Sequence, residues 1–420
     1  MSLVLRKSSP VVVRPSPEQV TMRGTIKLSS FDKSLNNLPN TSLLMFEHPI
    51  HNAAGTIQAA LSRALAHYYP IAGRIIAGGG SSGGGDDDVY IECNDEGVAF
   101  VAASTCHALK DVICFDRWPD ARKLLDELVD VVVHYPAMAC APRDPLLMMQ
   151  VTEFSCGGLV LGVTWNHGIA DGVGMGQFLQ AGGELAGGLP SPSFAPVRWD
   201  GSLPTLPPSI LDAEEHMLSL DPLNGDLATL DITIPLTSID QIRSDFSGRF
   251  HGQPCTTFEA VLAVLWRCQT RAIRLDPQTP ILLMFVADVR KHVGAKKGYY
   301  GNCTIDQVVV ATSSAVADGD VKDVIMAIKH AKDQIPSRPK MTTGQHELCK
   351  VPAYHTMMVS SWRNLGFDQM DLGSGRLARV TTSGKHMPPA SAAQGFLSSG
   401  RDGVSVLSAL VTTRTLSLQN

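Results

Sequence analysis

The hydrophobic pattern of this chain alternates between short apolar runs and amphipathic stretches, which predicts an α/β protein with mixed sheets and argues against an all-helical fold. Apolar positions with helical spacing predict helices over residues 56–68, 121–133, 173–185, 257–274 and 321–331. Short runs rich in β-branched and aromatic residues predict strands over residues 89–93, 98–103, 147–154, 158–164, 281–287, 307–312 and 404–411.

One of these apolar runs ends close to a titratable side chain. Residues 158–164 carry no charge and predict a buried strand, and His167, Asp171 and Gly172 stand between this strand and helix 173–185. A strand that ends at His-x-x-x-Asp-Gly holds the imidazole on a rigid element at an open edge, where catalytic bases are often placed. The alternative is a hydrogen-bonded core histidine at a strand end, and the spacing alone leaves both interpretations open.

The same His-x-x-x-Asp spacing occurs a second time, at His107 and Asp111. This second copy lacks the apolar strand before it and the glycine after it. We interpret it as a surface helix segment, and it shows that chance can supply the spacing in a chain with 13 histidines.

The composition limits the classes of function. The length of 420 residues exceeds the usual size of one hydrophobic core, so two domains are expected. The net charge of −5 and the absence of a long basic run argue against nucleic acid or a membrane surface as a partner.

The nine cysteines show no metal-ligand spacing, so we expect reduced thiols and no metal. Because no apolar run reaches about 18 residues and the N-terminus lacks a signal-peptide core, we expect a cytoplasmic protein.

A proline-rich stretch divides the sequence. Residues 188–208 contain six prolines and little periodicity, which is typical of an extended crossover. We therefore predict an N-terminal domain over residues 1–188, a crossover over residues 189–215 and a C-terminal domain over residues 216–420. The glycine-rich segment 78–88 lacks Gly-Lys-Ser/Thr and contains three aspartates, so it predicts a flexible hairpin tip and not a phosphate-binding loop.

Further motifs accompany His167 along the chain. In order, they are His67-Tyr68-Tyr69-Pro70-Ile71-Ala72-Gly73-Arg74, Asp171-Gly172-Val173-Gly174, Thr257-Phe258-Glu259-Ala260 with Trp266-Arg267, Ala287-Asp288-Val289-Arg290, Gly298-Tyr299-Tyr300-Gly301-Asn302, Ser360-Ser361-Trp362-Arg363 and Asp371-Leu372-Gly373-Ser374-Gly375. In order and spacing, over essentially the whole chain, they resemble the plant BAHD family of acyl-CoA-dependent acyltransferases.

One motif departs from the family pattern. Asp371-Leu372-Gly373-Ser374-Gly375 stands where the family usually has Asp-Phe-Gly-Trp-Gly, so two aromatic rings are missing. In the family this loop is mainly architectural and lies near the CoA entrance, and the change therefore affects local packing and CoA contacts. Two related families fit less well. Peptide-synthetase condensation domains usually have a second histidine where Asn166 stands, and chloramphenicol acetyltransferase-like chains are about half this length.

The resemblance implies a fold. It implies two similar-sized α/β domains, each with a mixed sheet flanked by helices, related to chloramphenicol acetyltransferase and with the active-site channel between them. From spacing alone, Asp171 could orient His167 as in a catalytic dyad. The resemblance implies instead that Asp171 points away from the site and pairs with Arg290, and that Asn302 and Asp371 pair distant segments of the second domain.

The resemblance also implies which residues face the substrates. It places Trp362 beside the reacting carbonyl, although an ordinary core aromatic is an equally good interpretation of that residue. Ser360, Ser361 and Gly172 would lie along the same substrate and CoA channel, and Thr257 on its CoA side.

Acyl transfer from a CoA thioester needs an acceptor that loses its proton. Because a thiol with a pKa of about 8.5 leaves easily, no strong acid is required. Neutral imidazole, with a pKa of about 6.5, suits the activation of an alcohol or amine. We therefore predict that His167 is the general base and that a tetrahedral oxyanion collapses directly to product and CoA. Cys303 beside Asn302 suggests a covalent route, but no Cys-His signature accompanies it.

These observations predict a cytoplasmic, monomeric acyl-CoA-dependent O- or N-acyltransferase of plant specialised metabolism. Its co-substrates would be acyl-CoA, with a hydroxycinnamoyl or benzoyl group, and a small amine, polyamine or alcohol, with no permanently bound cofactor. One alternative is a catalytically idle relative that binds a small molecule or a partner; the altered segment 371–375 favours it, and intact His167 and Asp171 argue against it. A carrier-protein-dependent condensation enzyme is the third interpretation.

Overall fold

The structure is a computed structural model that describes most of the chain. The described residues are 4–77, 89–113, 128, 135, 139–207, 227–340, 351–352, 355–373, 377–382, 392–396 and 403–411. The predicted hairpin tip at 78–88 and all but one residue of the predicted helix 121–133 lie outside them, as do residues 208–215 of the predicted crossover.

Strands and helices alternate along the described ranges. The strands are β1 (Leu5–Lys7), β2 (Val11–Val13), β3 (Gly24–Lys27), β4 (Pro39–Phe46), β5 (Arg74–Ala77), β6 (Val89–Cys93), β7 (Val98–Thr105), β8 (Leu147–Phe154), β9 (Leu159–Asn166), β10 (Leu227–Pro235), β11 (Pro280–Asp288), β12 (Thr304–Thr312), β13 (Thr356–Ser361), β14 (Arg379–Thr381), β15 (Ala392–Phe396) and β16 (Gly403–Val411). The helices are α1 (Ser30–Lys33), α2 (Ala53–His67), α3 (Lys110–Ile113), α4 (Gly172–Ala186), α5 (Leu236–Arg249), α6 (Thr257–Ile273), α7 (Arg290–Val293), α8 (Ser313–Ala317) and α9 (Val321–Asp333). The predicted helices and strands that lie within the described residues are confirmed, with shifted ends.

The second His-x-x-x-Asp copy corrects one expectation. His107 lies in the turn that follows β7, and α3 begins only at Lys110. The His107 Nδ1 atom is 3.0 Å from the Thr105 Oγ1 atom, and the Asp111 carboxylate accepts a hydrogen bond from the Ala108 backbone N–H at 3.0 Å. The copy is therefore a capped turn that leads into a short helix.

The chain divides into two compact units. The first comprises Met1–Thr205, Gly294–Cys303 and Asn364–His386, and the second comprises the remaining segments, Leu206–Val293, Thr304–Arg363 and Met387–Asn420. The predicted boundaries differ from this division, because two segments of the predicted C-terminal domain belong to the first unit. The proline-rich stretch belongs to the first unit as far as Thr205. Within this stretch, Val197 forms a parallel bridge with Tyr299.

The first unit contains a seven-stranded mixed sheet and a three-stranded sheet. The large sheet has the order β1-β7-β8-β9-β4-β14, with β2 also paired to β7, and the small one has the order β3-β6-β5. Strands β7 and β8 are parallel, whereas β9 is antiparallel to both of its neighbours, β8 and β4. All eight residues of β9 are buried, which explains why its sequence is continuously apolar instead of alternating.

The second unit contains a six-stranded mixed sheet with the order β10-β16-β15-β13-β11-β12. Its core forms between this sheet and helices α5, α6 and α9, with Phe246, Trp266 and Ile325 among the buried residues. Helix α6 begins with a capping box in which Thr256 and Glu259 satisfy each other's backbone N–H groups. The α/β class with mixed sheets and flanking helices is thus confirmed in each unit. Among the described residues, no helix combines the length and the apolar character needed to cross a membrane.

Candidate active site

His167 is the first residue after β9 and opens a short 3-10 turn, His167–Ile169. Hydrogen bonds from neighbouring residues and from the preceding loop hold this turn. The Asn166 side chain accepts from the Gly168 N–H at 2.8 Å, the His167 N–H donates to the Leu38 carbonyl at 2.7 Å, and the Trp165 indole N–H donates to the Ala170 carbonyl at 2.9 Å. The imidazole is therefore presented from a rigid strand end, and Asn166 caps the turn at the position where condensation domains usually have a second histidine.

Asn302 fixes the protonation pattern of the His167 ring. The Asn302 Oδ1 atom lies 3.0 Å from His167 Nδ1, while Asn302 Nδ2 donates to the Asp32 carboxylate at 2.9 Å and to the His167 carbonyl at 2.7 Å. An amide oxygen can only accept, so Nδ1 must carry the proton in the neutral ring. The lone pair then resides on Nε2, which is the form that a general base requires.

The environment keeps this ring neutral. Burial lowers the pKa of His167 below its ordinary value of 6.5, although the Asp171 and Asp32 carboxylates and the bond to Asn302 oppose the shift. A neutral imidazole near pH 7 is the state in which Nε2 can take a proton from an acceptor.

Asp171 is the N-cap of α4. Its Oδ1 atom accepts from the Gly174 N–H at 2.9 Å, and its Oδ2 atom accepts from the Cys303 N–H at 3.0 Å. Asp171 therefore joins the start of α4 to the segment that carries Asn302, which supports the structural role that the resemblance implies. Arg290 begins α7 in the second unit, where its guanidinium lies 3.3 Å from the Asp288 carboxylate. The pairing of Asp171 with Arg290 stays a prediction.

Replacing Asp171 with asparagine is expected to lower both stability and rate. The two oxygens of Asp171 accept from the backbone N–H groups of Gly174 and Cys303. Asparagine has only one side-chain oxygen, so one of these buried N–H groups would lose its acceptor. The free energy of unfolding should fall by about 1–2 kcal/mol, measured by urea unfolding. The same change at Asp320, which caps α9 from a partly exposed position and pairs with Arg249 and Lys322, should have a smaller effect. Asparagine caps almost as well, and exposed ion pairs contribute at most about 1 kcal/mol. Unchanged unfolding together with a large rate loss would instead make Asp171 half of a catalytic pair.

The predicted pairing of Asn302 with Asp371 is corrected. The Asn302 amide makes its hydrogen bonds with Asp32 and His167, and both Asn302 and Asp371 belong to segments of the first unit. Asp371 is exposed and accepts from the Gly373 N–H at 2.8 Å, which holds the turn at the start of the altered motif. The asparagine is therefore part of the site around His167, whereas the aspartate shapes a turn.

Leu372, which replaces a family phenylalanine, is buried against a small apolar pocket. The pocket has a volume of about 20 Å³ and is lined by Ile57, Ala60, Leu61, Ala64, Met149, Phe178, Leu179, Gly182, Met370 and Leu372. It lies where α2 and α4 approach the altered motif, so the Leu372 side chain borders unfilled space in the first unit. Ser374 and Gly375 lie outside the described residues.

Restoring the ring with Leu372→Phe is expected to stabilise the protein. The added carbon atoms would occupy the pocket, and filling a cavity commonly adds about 0.5–2 kcal/mol to the free energy of unfolding. Urea unfolding measures the change. The same substitution at Leu43, which is fully buried in β4, should destabilise by about 1–3 kcal/mol through overpacking. Equal losses at both positions would show that the pocket cannot accept a ring.

The remaining predicted site residues lie in the second unit. Ser360 and Ser361 end β13, Trp362 follows them and is 5% exposed, and Thr257 is the first residue of α6. Their roles toward the reacting carbonyl and CoA stay predictions. Gly172, in the first unit, opens α4 beneath the Leu365 side chain, and a Cβ at this position would lie 2.7 Å from Leu365 Cδ1.

Sequence reasoning missed two residues of the site, Asp32 and Arg198. Asp32 is fully buried in α1 and forms a salt bridge of 3.1 Å with Arg198, which is 5% exposed. Arg198 also donates to the Gly168 carbonyl at 3.1 Å. Two signals were present in the sequence: Ser29 and Asp32 have the spacing of a capping box, and Arg198 is a charge within the proline-rich stretch.

Metal ligands and the thiol of Cys303 are the two other kinds of reactive group to place relative to His167. No group of three or more His, Cys, Asp or Glu side chains in these ranges could hold a metal ion. Cys303 is buried, and its backbone N–H holds Asp171. The arrangement that remains is a neutral imidazole supported by an asparagine.

Comparison with known proteins places this site in a family. The sequence model of the family described as "Transferase family" matches residues 5–415. Acyl transferase 15 of Oryza sativa subsp. japonica is 42% identical over 433 residues, covering 98% of this chain and 96% of that protein. Myricetin 3-O-glucosyl 1,2-rhamnoside 6'-O-caffeoyltransferase AT2 of Crocosmia x crocosmiiflora is 30% identical, covering 89% and 88%. The 3'-N-debenzoyl-2'-deoxytaxol N-benzoyltransferase of Taxus canadensis is 29% identical, covering 90% and 85%.

Solved structures show the same fold. The crystal structure of vinorine synthase matches with a TM-score of 0.69 at 19% identity, covering 99% of this chain and 96% of that one. The complex of F. sporotrichioides TRI101 with coenzyme A and T-2 matches with a TM-score of 0.70 at 17% identity, covering 94% and 96%. Together with the sequence matches, these findings show that the chain belongs to the Transferase family, the BAHD acyltransferases that its motifs resemble, and is an acyl-CoA-dependent acyltransferase.

Proposed function

We propose that this protein transfers an aromatic acyl group, hydroxycinnamoyl or benzoyl, from acyl-CoA to a small amine, polyamine or alcohol. His167 Nε2 takes the acceptor proton while the acceptor attacks the thioester carbonyl. The tetrahedral oxyanion then collapses, the C–S bond breaks, and CoA leaves as a thiolate. The proton held by His167 passes to this thiolate or to solvent, which returns the ring to its neutral form. No acyl-enzyme and no permanently bound cofactor take part, and the protein acts as a cytoplasmic monomer.

The observation that carries this proposal is the bond between His167 Nδ1 and Asn302 Oδ1 at 3.0 Å. It leaves Nε2 as the basic atom of a ring whose pKa burial lowers. Asn302 stays neutral, and it therefore orients the ring without adding a charge to it. Trp362 supplies the indole N–H that we assign to the developing oxyanion. The aromatic donor is supported by the names of two relatives, a caffeoyltransferase and a benzoyltransferase.

The test is a matrix of donors and acceptors. The purified protein is incubated with p-coumaroyl-, caffeoyl-, benzoyl- and acetyl-CoA, each with alcohol, amine and polyamine acceptors, and free thiol release is followed. Mass spectrometry of the product distinguishes an ester from an amide. Acceptor-dependent release that is fastest with an aromatic donor is the expected result, whereas no acceptor-dependent release from any pair would overturn the proposal.

The absence of an acyl-enzyme has its own test. Mixing enzyme with donor alone should give no burst of free CoA and no gain in the intact mass of the protein, because the acceptor attacks the thioester directly. A stoichiometric burst with a matching mass increase would instead indicate a covalent route.

A further inference from the structure

Asp32 is a buried carboxylate whose two oxygens face different donors. The Oδ1 atom accepts from the Asn302 backbone N–H at 3.0 Å and from Asn302 Nδ2 at 2.9 Å. The Oδ2 atom accepts from the Ser29 N–H at 3.0 Å and its hydroxyl at 2.7 Å, and it lies 3.1 Å from Arg198 Nη2. The carboxylate is therefore surrounded by five donor groups.

This arrangement allows only one orientation of the Asn302 amide. A carboxylate must receive the NH₂ end, and so must the His167 carbonyl, which accepts from the same Nδ2 atom at 2.7 Å; the oxygen end therefore turns toward His167 Nδ1. The amide oxygen in turn requires Nδ1–H and leaves the lone pair on Nε2. The orientation of one amide thus transmits the acceptor character of Asp32 to the imidazole.

Arg198 and Ser29 determine how a neutral side chain at position 32 would behave. Both residues donate to the Oδ2 atom of Asp32. If position 32 were asparagine and its NH₂ group took the place of Oδ2, that group would face these donors without an acceptor. Turned toward Asn302 instead, it would face one fixed donor, the Asn302 backbone N–H, and it could donate to the Asn302 side-chain oxygen if that amide flips. The flipped amide would present NH₂ to His167 Nδ1 and its oxygen to the His167 carbonyl, which loses its donor. This arrangement requires the Nε2–H tautomer, which has no lone pair on the reacting nitrogen.

We propose that Asp32 is a positioning residue that sets the tautomer of His167 through Asn302, with Arg198 as its buried counterion. The inference rests on the proposed function for its effect on rate, because His167 must be the base. It does not rest on that function for its effect on the ring.

The experiment reads the tautomer directly. Protein labelled with ¹⁵N in its histidines is examined by NMR above pH 7, where the shifts of the two ring nitrogens show which one carries the proton; His167→Gln assigns the signal. Wild type should show Nδ1–H. Asp32→Asn should change the ring to Nε2–H and lower kcat by about 10- to 100-fold. Ser29→Ala removes a donor to the same carboxylate without touching Asn302, so it should keep Nδ1–H and most of the rate.

An exchange of the two side chains provides the rescue. The double variant Asp32→Asn with Asn302→Asp puts the carboxylate next to the ring, where it can only accept from Nδ1–H. The Nδ1–H tautomer should therefore return, while the His167 carbonyl loses the donor that Asn302 supplies. If Asp32→Asn alone does not fold, the double variant still allows the tautomer of His167 to be measured. An Nε2–H ring in wild type or in the exchanged variant, an unchanged Nδ1–H ring in Asp32→Asn, or unfolding of both variants would overturn the positioning role. A tautomer change in Asp32→Asn, in an enzyme whose rate does not depend on His167, would uphold this inference and overturn the proposed function instead.

Discussion

Replacing His167 with alanine is expected to lower kcat for acyl transfer by about 10²- to 10⁴-fold, which is the usual contribution of a general base. The variant should fold, because the turn that carries His167 is held by backbone groups and by the Asn166 and Trp165 side chains. His107→Ala is the matched control. It removes the histidine of the second His-x-x-x-Asp copy, which lies in a capped turn after β7, and the rate should remain at the wild-type level.

The pH dependence of the reaction sharpens the same prediction. Because burial lowers the pKa of His167, protonation of the free enzyme should reduce kcat/KM only below the ordinary histidine value of 6.5. Above that pH the ring is neutral, so the ionisation of His167 should cause no further change of kcat/KM with pH. The acid limb should disappear in His167→Ala. Equal rates for wild type and His167→Ala would remove His167 as the base, whatever the pH profile.

Replacing Gly174 with alanine is expected to cost about 3 kcal/mol of the free energy of unfolding, at the upper end of overpacking effects. Gly174 lies in the first turn of α4, and a Cβ built on it would overlap the carbonyl oxygen of Tyr300, a backbone atom with no freedom to rotate away. The displaced segment also carries Asn302. Urea unfolding measures the loss, and the acyl-transfer rate of any folded fraction should fall because the support of His167 moves.

The control for this prediction lies on the same helix. A Cβ at Gly182 would meet nothing within 4 Å among the described residues, so Gly182→Ala should stabilise α4 by up to about 1 kcal/mol through helix propensity. Opposite signs at the two glycines would show that Gly174 is required for close approach of the backbones. A similar gain at both positions would contradict the packing of segment Gly294–Cys303 against α4.

Much of the local structure could be predicted because its determinants are local. The apolar run before His167 predicted a buried strand, and β9 is buried on every residue. The capping spacing at Asp171, followed by small residues and an apolar stripe, is consistent with the helix that starts at Gly172. These features depend on neighbours within a few positions, so the sequence displays them directly.

The division of the chain and the site around His167 could not be predicted in the same way. Composition identifies a linker, but it does not show that residues 294–303 and 364–386 pack in the first unit. That assignment depends on contacts between segments that are distant in sequence. Asp32 and Asn302 are 270 residues apart. Their pairing depends on backbone approach, such as that of Gly174 to Tyr300, which no periodicity reveals.

The sequence by itself determined the α/β class, the strand that ends at His167, and, through its motifs, the acyltransferase family. Only the tertiary structure decided what holds the imidazole. It assigned Asn302 to the ring and not to Asp371, and it added the buried Asp32 and Arg198 pair behind that asparagine. The physical reason is that an amphipathic pattern specifies which face of an element is buried, whereas a hydrogen bond between distant segments depends on how those segments meet.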